Sequence, residues 1–420
     1  MNNIKNNFLF FLFYVLAVSN YAVAKDNHFI TVAKDGSGDF KTITEAINSL
    51  PMFNYERVVI YIRNGIYNEK FRITQDYVTL KGESEDSTII EYSQLRTDWI
   101  DHKDNIGPAV VNIHADDIVL EDLTVKNTQP QIGPHAFAIY GTGTRTILLN
   151  CKVLSKGGDT VSLWNYKNGM YYHAGCTFEG AVDFVCPRGW CFIKDSKFYE
   201  VKQTASVWHA GGFDITQKFV LKNCSFDGVK NFELGRHHYE AQFYMIDCRF
   251  SRNLDDKPIF RVVNKDSTQN RPFNWGERDY YYNCSGEGGN FSWFKNNLIT
   301  AEGSPKPEDI NPLWTFDGKW NPESAASPEI EKYEAHKNYI LFFFKEPITV
   351  IGKPVLKSNS GKIFIYDSGA SSDTIRLDCS SVFTKKDLAS IKIINNGKFI
   401  GTKASVNKRI VSFNFNINEN

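Results

Sequence analysis

Short apolar runs separated by turn residues fill most of the chain, and this pattern predicts a long series of short β-strands. The runs are rich in Val, Ile, Phe and Tyr, which are residues that favour strands. Representative runs are Val58–Ile62, Tyr77–Leu80, Ala109–Ile113 and Ile118–Leu120. Because the strands follow one another without helices between them, a doubly wound α/β sheet is not expected.

One amphipathic helix is predicted ahead of the strands. The apolar positions of residues 43–50 lie on one helical face, and Pro51 ends the segment. Thr42 and Glu45 stand at the spacing of a capping box. A helix at this place suits a cap over the open end of a stack of strands, which otherwise exposes apolar surface. No second helical pattern occurs before residue 320.

A repeated motif lies within the strand-rich region. It consists of a small polar residue, then Cys or Ser, then any residue and an apolar one, and most copies are 20–28 residues apart. This interval suits one coil of a parallel β-helix, whose neighbouring strands lie about 4.8 Å apart. The repeated positions are Cys151, Cys176, Ser196, Cys224, Cys248 and Cys284.

The repeat predicts that its cysteines stack inside the coil as small buried side chains rather than as disulfide partners. Cys186 and Cys191 lie outside the repeat. They either pair with each other or remain thiols.

The two ends of the chain have patterns of their own. Residues 1–24 combine Lys5, an apolar run and a small-residue site at Ala22–Ala24, which predicts a signal peptide cleaved near Ala24 and a secreted or periplasmic protein. The β-helix is expected over residues 25–323. Accumulated prolines predict a linker over residues 324–334, and further strand patterns predict a small β-sandwich over residues 335–420.

The charge balance excludes several classes of partner. The 420 residues include 48 Lys and Arg against 48 Asp and Glu, so the formal net charge is +0. A neutral chain has no general attraction to nucleic acid or to an anionic membrane, and the N-terminal apolar run is too short to span a bilayer. We expect a monomer whose attraction to any charged substrate is local.

Two aspartates stand 24 positions apart, an interval that fits one predicted coil. Asp159 and Asp183 would then lie on adjacent coils and on the same face. Two carboxylates this close have separated pKa values, as an acid/base group and a nucleophile or charge stabiliser require. Arg236 is a candidate cation that would keep one of them ionised. On these residues alone, a solvated pair of loop carboxylates is the alternative.

The order of motifs along the chain resembles the pectin methylesterase (pectinesterase) family. The segments that carry the resemblance are Gly36–Ile43, Gly65–Glu69, Val78–Glu83, Asp159–Thr160, Val182–Phe184, Leu234–Arg236 and Trp314–Pro322. The resemblance implies an all-β fold, a right-handed parallel β-helix, and a carbohydrate esterase that needs no metal or cofactor. Its substrate would be methyl-esterified uronic-acid residues of an acidic, pectin-like polysaccharide.

The resemblance also implies a role for each residue of the triad. Asp183 would attack the ester carbonyl as the nucleophile. Asp159 would protonate the leaving methanol and then activate water, and Arg236 would keep Asp183 ionised. More weakly, residues 342–356 resemble the Ig-like modules of bacterial secreted proteins, so the C-terminal sandwich is expected to be such a module.

Several positions depart from the family pattern, and they face the expected substrate. Gly158 and His135 replace two glutamines that supply oxyanion stabilisation; we expect His135 to donate from its side chain and Gly158 from its backbone N–H. A sugar-contacting aromatic residue is absent after Val185, where Arg188 adds a cation. His238 stands at the position of a cleft tryptophan.

Three tryptophans beside these segments are expected to bind sugar, with core packing as the alternative for each. They are Trp164, Trp190 and Trp208, and Arg188 and His238 complete the expected substrate-binding set. The histidines at positions 135, 209, 237 and 238 are spread over three segments without a typical ligand spacing, so no metal site is expected.

Four interpretations of the site stay open. The first is an esterase with a rearranged oxyanion hole that acts on a different methyl-esterified or acylated uronic-acid glycan. The second is ordinary pectin demethylation with compensating groups. The third is a weakly active or inactive β-helix that binds acidic glycan. A β-helix glycoside hydrolase also uses paired carboxylates, but the order of the motifs disfavours it.

Overall fold

A computed structural model of the protein describes residues 29–54, 57–212, 214–298, 304–323, 330–345, 348–351, 353–369, 372–394 and 399–402. The expected signal peptide over residues 1–24 lies outside these residues and stays a prediction. Among the helices of the described ranges, none is long and apolar enough to cross a membrane.

The part of the chain up to residue 323 consists of short strands with a few short helices. In chain order the elements are β1 (Phe29–Val32), α1 (Ile43–Asn48), β2 (Val58–Ile62), β3 (Gly65–Asn68), β4 (Phe71–Ile73), β5 (Val78–Gly82), β6 (Thr88–Tyr92), α2 (Arg96–Asp101), β7 (Val111–Ile113), β8 (Val119–Glu121), β9 (Thr124–Asn127), β10 (Ile139–Gly141), β11 (Thr146–Leu149), β12 (Lys152–Leu154), β13 (Val161–Leu163), β14 (Met170–Ala174), β15 (Thr177–Gly180), β16 (Val185–Pro187), β17 (Trp190–Lys194), β18 (Lys197–Glu200), β19 (Ala205–His209), β20 (Phe219–Lys222), β21 (Ser225–Gly228), β22 (Glu233–His237), β23 (Phe243–Ile246), β24 (Arg249–Phe250), β25 (Phe260–Arg261), β26 (Asp279–Tyr282), β27 (Ser285–Gly286) and α3 (Pro312–Thr315), with 3-10 turns at Ser267–Gln269 and Pro307–Asp309.

These strands form three parallel sheets, and beyond β1 every third strand along the chain falls in the same sheet. The first sheet runs β1-β2-β5-β8-β11-β14-β17-β20-β23-β26, the second β4-β7-β10-β13-β16-β19-β22-β25, and the third β3-β6-β9-β12-β15-β18-β21-β24-β27. The chain therefore winds as a right-handed parallel β-helix, as predicted. Aliphatic and aromatic side chains from all three sheets fill the interior of the coils.

The cysteine repeat marks one corner of the coil. Each cysteine of the repeat is buried and free, and the residue before it has a left-handed backbone: Gly175 precedes Cys176, and before the others stands Asn or Asp with φ near +50°, as at Asn150 and Asp247. Asn and Asp tolerate this left-handed conformation, which turns the chain from the first sheet into the third. The Sγ atom of Cys151 donates to the carbonyl of Leu120 on the preceding coil, at 3.4 Å. The predicted stack of buried cysteines is confirmed.

The cap helix is confirmed, and a second short helix was not predicted. In α1 the capping box between Thr42 and Glu45 is formed, and Ile43, Ala46 and Ile47 are buried. Helices α2 and α3 both lie before residue 320, where no second helix was expected, and the longer of the two is α2. It has no side-chain cap and no buried residue, so it has no apolar face that a sequence pattern would show.

The C-terminal elements form a separate antiparallel structure. They are β28 (Ile330–Ala335), β29 (Tyr339–Phe344), β30 (Ile348–Ile351), β31 (Val355–Lys357), β32 (Ile363–Ser368), β33 (Thr374–Cys379), α4 (Lys385–Leu388), β34 (Lys392–Ile393) and β35 (Phe399–Thr402). One sheet has the order β28-β29-β33-β32-β31-β34, and β30 pairs with β35. Side chains of both sheets share one apolar cluster.

The expected linker boundary is partly wrong, because residues 330–334 belong to β28 and not to a linker. Residues 324–329 lie outside the described part. The assignment of the C-terminal structure to the Ig-like modules stays a prediction, and residues 403–420 of the expected sandwich lie outside the described residues.

Candidate active site

Asp159 and Asp183 occupy equivalent positions on adjacent coils. Each stands two residues before a strand of the second sheet, and these strands, β13 and β16, pair with Val161 opposite Val185. Both aspartates have left-handed backbones, with φ of 56° and 58°. The backbone N–H of Asp159 donates to the carbonyl of Val182 at 3.2 Å. The predicted placement, on neighbouring coils and on one face, is confirmed.

The backbone before Asp183 is strained. Val182 has φ of 46°, a conformation that is a genuine outlier for a β-branched residue. The next coil holds it in place: the Val182 N–H donates to Thr204 Oγ1 at 3.1 Å, and the Asp183 N–H donates to the carbonyl of Ala205 at 2.7 Å. Strain that neighbouring structure maintains in this way is typical of functional sites.

Arg236 reaches Asp183 from β22, two coils further along. Its Nε donates to Asp183 Oδ1 at 2.8 Å and its Nη2 donates to Oδ2 at 2.7 Å. This two-pronged arrangement matches the fork of the guanidinium to both carboxylate oxygens. It fixes the carboxylate in one orientation.

Burial and charge act in opposite directions on both aspartates. Burial raises the pKa of Asp183 to about 6, while the hydrogen bonds and charge of Arg236 oppose the rise and the nearby Asp159 adds to it. Burial also raises the pKa of Asp159, and the charges of His135 and Arg188 oppose that rise. Two carboxyl groups with raised pKa values suit proton transfer near neutral pH.

A polar shell surrounds Asp159. His135 Nε2 lies 3.5 Å from Asp159 Oδ1, and Ser162 Oγ donates to Asp159 Oδ2 at 3.3 Å. The indole N–H of Trp164 donates to Ser162 Oγ at 2.7 Å, and Cys186 Sγ lies 3.3 Å from the same oxygen. Ser162 was missed by the sequence reasoning. Its position on β13, between the outward-facing Asp159 and Trp164, is the signal that would have found it.

Arg188 is enclosed by aromatic rings beside the aspartates. Its guanidinium carbon lies 4.1 Å from the ring centre of Trp164, 4.8 Å from that of Trp208 and 5.5 Å from that of Tyr166. Its Nε donates to the Tyr166 hydroxyl at 3.1 Å and its Nη1 to the carbonyl of Cys186 at 3.3 Å. The residue is 7% exposed, and within the described part of the chain no carboxylate forms an ion pair with it.

His238 completes this wall of the cleft. The indole N–H of Trp208 donates to His238 Nδ1 at 2.8 Å, and the two rings meet edge to face. The structure therefore brings together Trp164, Arg188, Trp208 and His238 from the expected substrate-binding set.

The cleft continues from Trp164 toward the N-terminal coils. A cavity of about 310 Å³ there is lined by Trp164, Tyr140, Trp99, Arg72 and Arg96, among others. The backbone N–H of Arg96 donates to the carbonyl of His135 at 2.9 Å, so helix α2 forms one side of the cavity next to the candidate oxyanion donor.

Comparison with known proteins assigns the family. A model of the family described as Pectinesterase matches residues 29–248, more than half of the chain. The chain belongs to the pectinesterase family. It is 29% identical over 218 residues to a pectinesterase of Petunia integrifolia, covering 50% of this chain and 55% of that protein. It is also 29% identical over 165 residues to pectinesterase 31 of Arabidopsis thaliana, covering 37% and 51%.

Solved structures of other family members have the same fold. The pectin methylesterase from carrot has a TM-score of 0.55 and is 20% identical, covering 69% of this chain and 93% of that one. The pectin methylesterase PemA from Erwinia chrysanthemi has a TM-score of 0.56 and is 22% identical, covering 70% and 98%. The chain spans only 35% of the length of an Arabidopsis thaliana protein described as "Probable pectinesterase/pectinesterase inhibitor 58".

The structure contradicts the roles that the sequence predicted for two site residues, Trp190 and Gly158. Trp190 is 3% exposed and starts β17 in the first sheet, where it belongs to an apolar cluster with Phe316 against which Trp314 and Trp320 pack, so it does not line the cleft. Its indole N–H donates to the carbonyl of Thr216 at 3.0 Å. Core packing, the alternative for this tryptophan, is correct.

Gly158 does not offer a free backbone donor. Its N–H donates to the carbonyl of Pro134 at 3.0 Å, where it joins the bridge between Gly158 and His135. The expectation that this N–H stabilises an oxyanion is therefore wrong. Of the two residues that replace the family glutamines, only His135 carries a side-chain donor at this site.

Proposed function

We propose that this pectinesterase-family protein is a carbohydrate esterase that hydrolyses methyl esters of uronic-acid residues in a pectin-like polysaccharide. The observation that carries the proposal is the two-pronged Arg236–Asp183 pair with Asp159 on the adjacent coil. A fixed, ionised carboxylate beside a second carboxyl group of raised pKa is the minimum that nucleophilic ester cleavage by an aspartate requires.

In the first step Asp183 attacks the ester carbonyl carbon. The carbonyl π electrons move to its oxygen, and when they return the bond to the methoxy oxygen breaks. Asp159, whose pKa burial raises, donates its proton to that oxygen, so methanol leaves and an acyl anhydride joins the substrate to Asp183. Arg236 stays bonded to the oxygen of Asp183 that does not attack.

In the second step a water molecule cleaves the anhydride. Asp159, now ionised, takes a proton from the water as its oxygen attacks the substrate carbonyl carbon. The bond to Asp183 breaks and its electron pair returns to the carboxylate, which Arg236 again stabilises. The product is a free uronic acid, which releases its proton to solvent to become the uronate, and Asp159 is protonated for the next turnover.

His135 is the donor that we assign to the developing oxyanion. Its side chain is 50% exposed, and its Nε2 lies beside the carboxyl group of Asp159. Removing one oxyanion donor from an enzyme typically costs about 3 kcal/mol in the activation barrier. Because the Gly158 N–H already donates to the carbonyl of Pro134, His135 is the single remaining donor of this pair. This favours an esterase with a rearranged oxyanion hole.

Arg188 suits an acidic glycan. A buried cation without an anionic partner is costly, and a uronate carboxylate that enters the cleft would compensate it. The rings of Trp164 and Trp208 hold the guanidinium from the sides and leave aromatic surface for pyranose C–H groups. We therefore propose that the substrate carries free carboxylates next to the esters that are cleaved.

The test is methanol release from methyl-esterified homogalacturonan by the wild type and by Asp183→Asn. Asp195→Asn is the matched control, because Asp195 has the same left-handed backbone at an exposed corner. Release that is lost only in Asp183→Asn supports the proposal. Release from another esterified uronic-acid glycan but not from pectin selects a different substrate. Saturable glycan binding without release from any ester rejects the esterase and leaves the glycan-binding alternative.

A further inference from the structure

A group of metal-ligand side chains lies behind the strand that carries Arg236. His237 Nε2 and one carboxylate oxygen each from Glu277 and Asp279 lie within 4.8 Å of one another. Side chains alternate along β22, so Arg236 points into the cleft while His237, whose side chain is 2% exposed, points to the interior. Asp279 is the first residue of β26 in the first sheet.

Two buried atoms in this group have no hydrogen-bond partner. His237 Nδ1 lies 2.7 Å from the carbonyl oxygen of Tyr239, which only accepts, so Nδ1 carries the proton. Nε2 then presents a lone pair, and it is buried without a partner. Asp279 Oδ1 is also buried without a partner. Buried polar atoms are nearly always paired, so two unpaired acceptors in one group point to a missing positive partner.

Among the described residues, the neighbouring arginines do not hydrogen-bond to these two atoms, although the charge of Arg278 acts on Asp279. Arg261 Nη2 donates to the carbonyl of Arg271 at 2.8 Å, and Arg278 Nη1 donates to the carbonyl of Ile215 at 2.7 Å. Among the residues that the structure describes, neither Glu277 nor Asp279 forms an ion pair with a lysine or an arginine.

We propose that His237, Glu277 and Asp279 bind one divalent metal ion of the zinc class. One imidazole nitrogen and two carboxylate oxygens are suitable zinc ligands, and three protein ligands leave a fourth position for water. Calcium and magnesium prefer sites made of oxygen atoms alone, so the imidazole favours zinc or a similar transition metal. The carbonyl of Tyr239 orients the ring from behind, as an outer partner does for most metal-bound histidines.

The ligand atoms must move slightly closer together to coordinate one ion. His237 Nε2 and Glu277 Oε2 are 4.0 Å apart, whereas tetrahedral zinc with bonds of about 2.0–2.1 Å places its ligand atoms roughly 3.4 Å apart. The Glu277 side chain is 67% exposed and free to turn inward by this amount. The ligand atoms of the buried His237 and the half-buried Asp279 already lie within 4.8 Å of each other.

A bound ion would connect two sheets at the C-terminal end of the coils. His237 belongs to β22 in the second sheet and Asp279 to β26 in the first, and these strands are not paired with each other. The ion would therefore cross-link the coil directly behind Arg236. Its role would be structural, since it lies on the opposite side of β22 from the cleft.

The test uses the full-length protein after treatment with a chelator. Zinc chloride is titrated by calorimetry, and cobalt chloride is followed by its visible absorption, which reports the coordination of the ion without any activity assay. Glu277→Gln removes an exposed ligand and leaves the core intact; Glu287→Gln, on the same final coil and exposed, is the matched control. His237→Gln is the stronger variant, and circular dichroism shows whether it is folded.

The wild type and Glu287→Gln are expected to bind one zinc ion per chain. In Glu277→Gln the affinity should fall about tenfold or more, and the thermal stabilisation by zinc should fall with it. Equal affinity of the wild type and Glu277→Gln would overturn the site. Absence of saturable binding of zinc and cobalt by the wild type would also overturn it.

Discussion

Arg236 binds both carboxylate oxygens of Asp183 although 53 residues separate them in the chain. The register of the second sheet creates this contact: Arg236 lies on β22, opposite Trp208 of β19, and Asp183 precedes β16 on the coil before that. Arg236 makes ionisation possible in a place where burial alone would keep Asp183 neutral. The reactivity of Asp183 should therefore depend on the shape of the cation as well as on its charge.

The first prediction follows from that dependence. Arg236→Lys keeps a positive charge but replaces the planar fork by a single ammonium group, which cannot hold both oxygens in the same way. A charge-assisted hydrogen bond contributes about 1.5–3 kcal/mol, so kcat should fall roughly 10–100-fold with little change in KM. Methanol-release kinetics measure the effect, with the exposed Arg252→Lys as control. Full activity of Arg236→Lys would contradict the assigned role.

The second prediction concerns pH. As the proposed nucleophile, Asp183 must be ionised to attack; burial raises its pKa to about 6, so kcat/KM should rise as the pH increases through about 6. Asp159 must be protonated in the first step, so the rate should fall again above its raised pKa. Because the two carboxyl groups interact, the apparent pKa values of the two limbs are properties of the pair and not of either aspartate alone. In Arg236→Lys the acidic limb of the pH profile should move to higher pH. An unchanged acidic limb would show that Arg236 does not control the ionisation of Asp183.

The sequence alone predicted the coil and the placement of Asp159 and Asp183 on adjacent coils, because both depend on periodic positions, whereas the role of Arg236 came from the family resemblance. The corner residues repeat about once per coil, and the spacing of Asp159 and Asp183 follows the same interval. The repeat spacing does not show which of the three sheets carries a given tryptophan. Trp190 and Trp208 both lie on short strands, yet Trp190 starts a strand of the first sheet and Trp208 lies on the second, where the cleft is.

Two features of the site were hidden for a different reason. The N–H of Gly158 is used by the carbonyl of Pro134, a contact between neighbouring coils that no local pattern records. The enclosure of Arg188 depends on Trp164, Tyr166 and Trp208 meeting from different coils. The sequence indicated an added cation at this place, but only the packing of the coils shows that it is buried among aromatic rings.

The third prediction tests the proposed acidic substrate. In Arg188→Gln the KM for partly de-esterified pectin should rise about tenfold, because a charge-assisted contact to a free uronate is lost. The KM for fully methyl-esterified pectin should change less. Arg188 also opposes the rise in the pKa of Asp159, so the alkaline limb should move to higher pH in this variant. Arg252→Gln is the control. Equal KM changes on both substrates would show that Arg188 does not select free carboxylates.

The fourth prediction concerns stability. Glu200 is fully buried at the end of β18, and burial raises its pKa to about 9 from an ordinary value of 4.5. The folded protein keeps the proton that the unfolded chain releases, so this group makes the free energy of unfolding fall as the pH rises from about 4.5 to 9. The slope is on the order of 1 kcal/mol per pH unit.

Glu200→Gln removes this titration and keeps an oxygen for the hydrogen bond from the Lys202 N–H, which is 3.0 Å long. Urea unfolding at pH 5, 6.5 and 8 should show that the variant gains stability over the wild type as the pH rises. The exposed Glu287→Gln should follow the wild type. If Glu200→Gln has the same pH dependence as the wild type, Glu200 is already ionised in the folded protein.

The fifth prediction concerns the thiols. All eight cysteines are buried and free, and burial raises the pKa of thiols such as Cys151, Cys186 and Cys191 well above the ordinary value. Since the thiolate is the reactive form, Ellman's reagent should titrate no thiol in the folded protein and eight after denaturation. A reducing agent should leave the melting temperature unchanged. A count of six after denaturation would indicate one disulfide, with Cys186 and Cys191 the first pair to examine because both lie outside the stacked repeat.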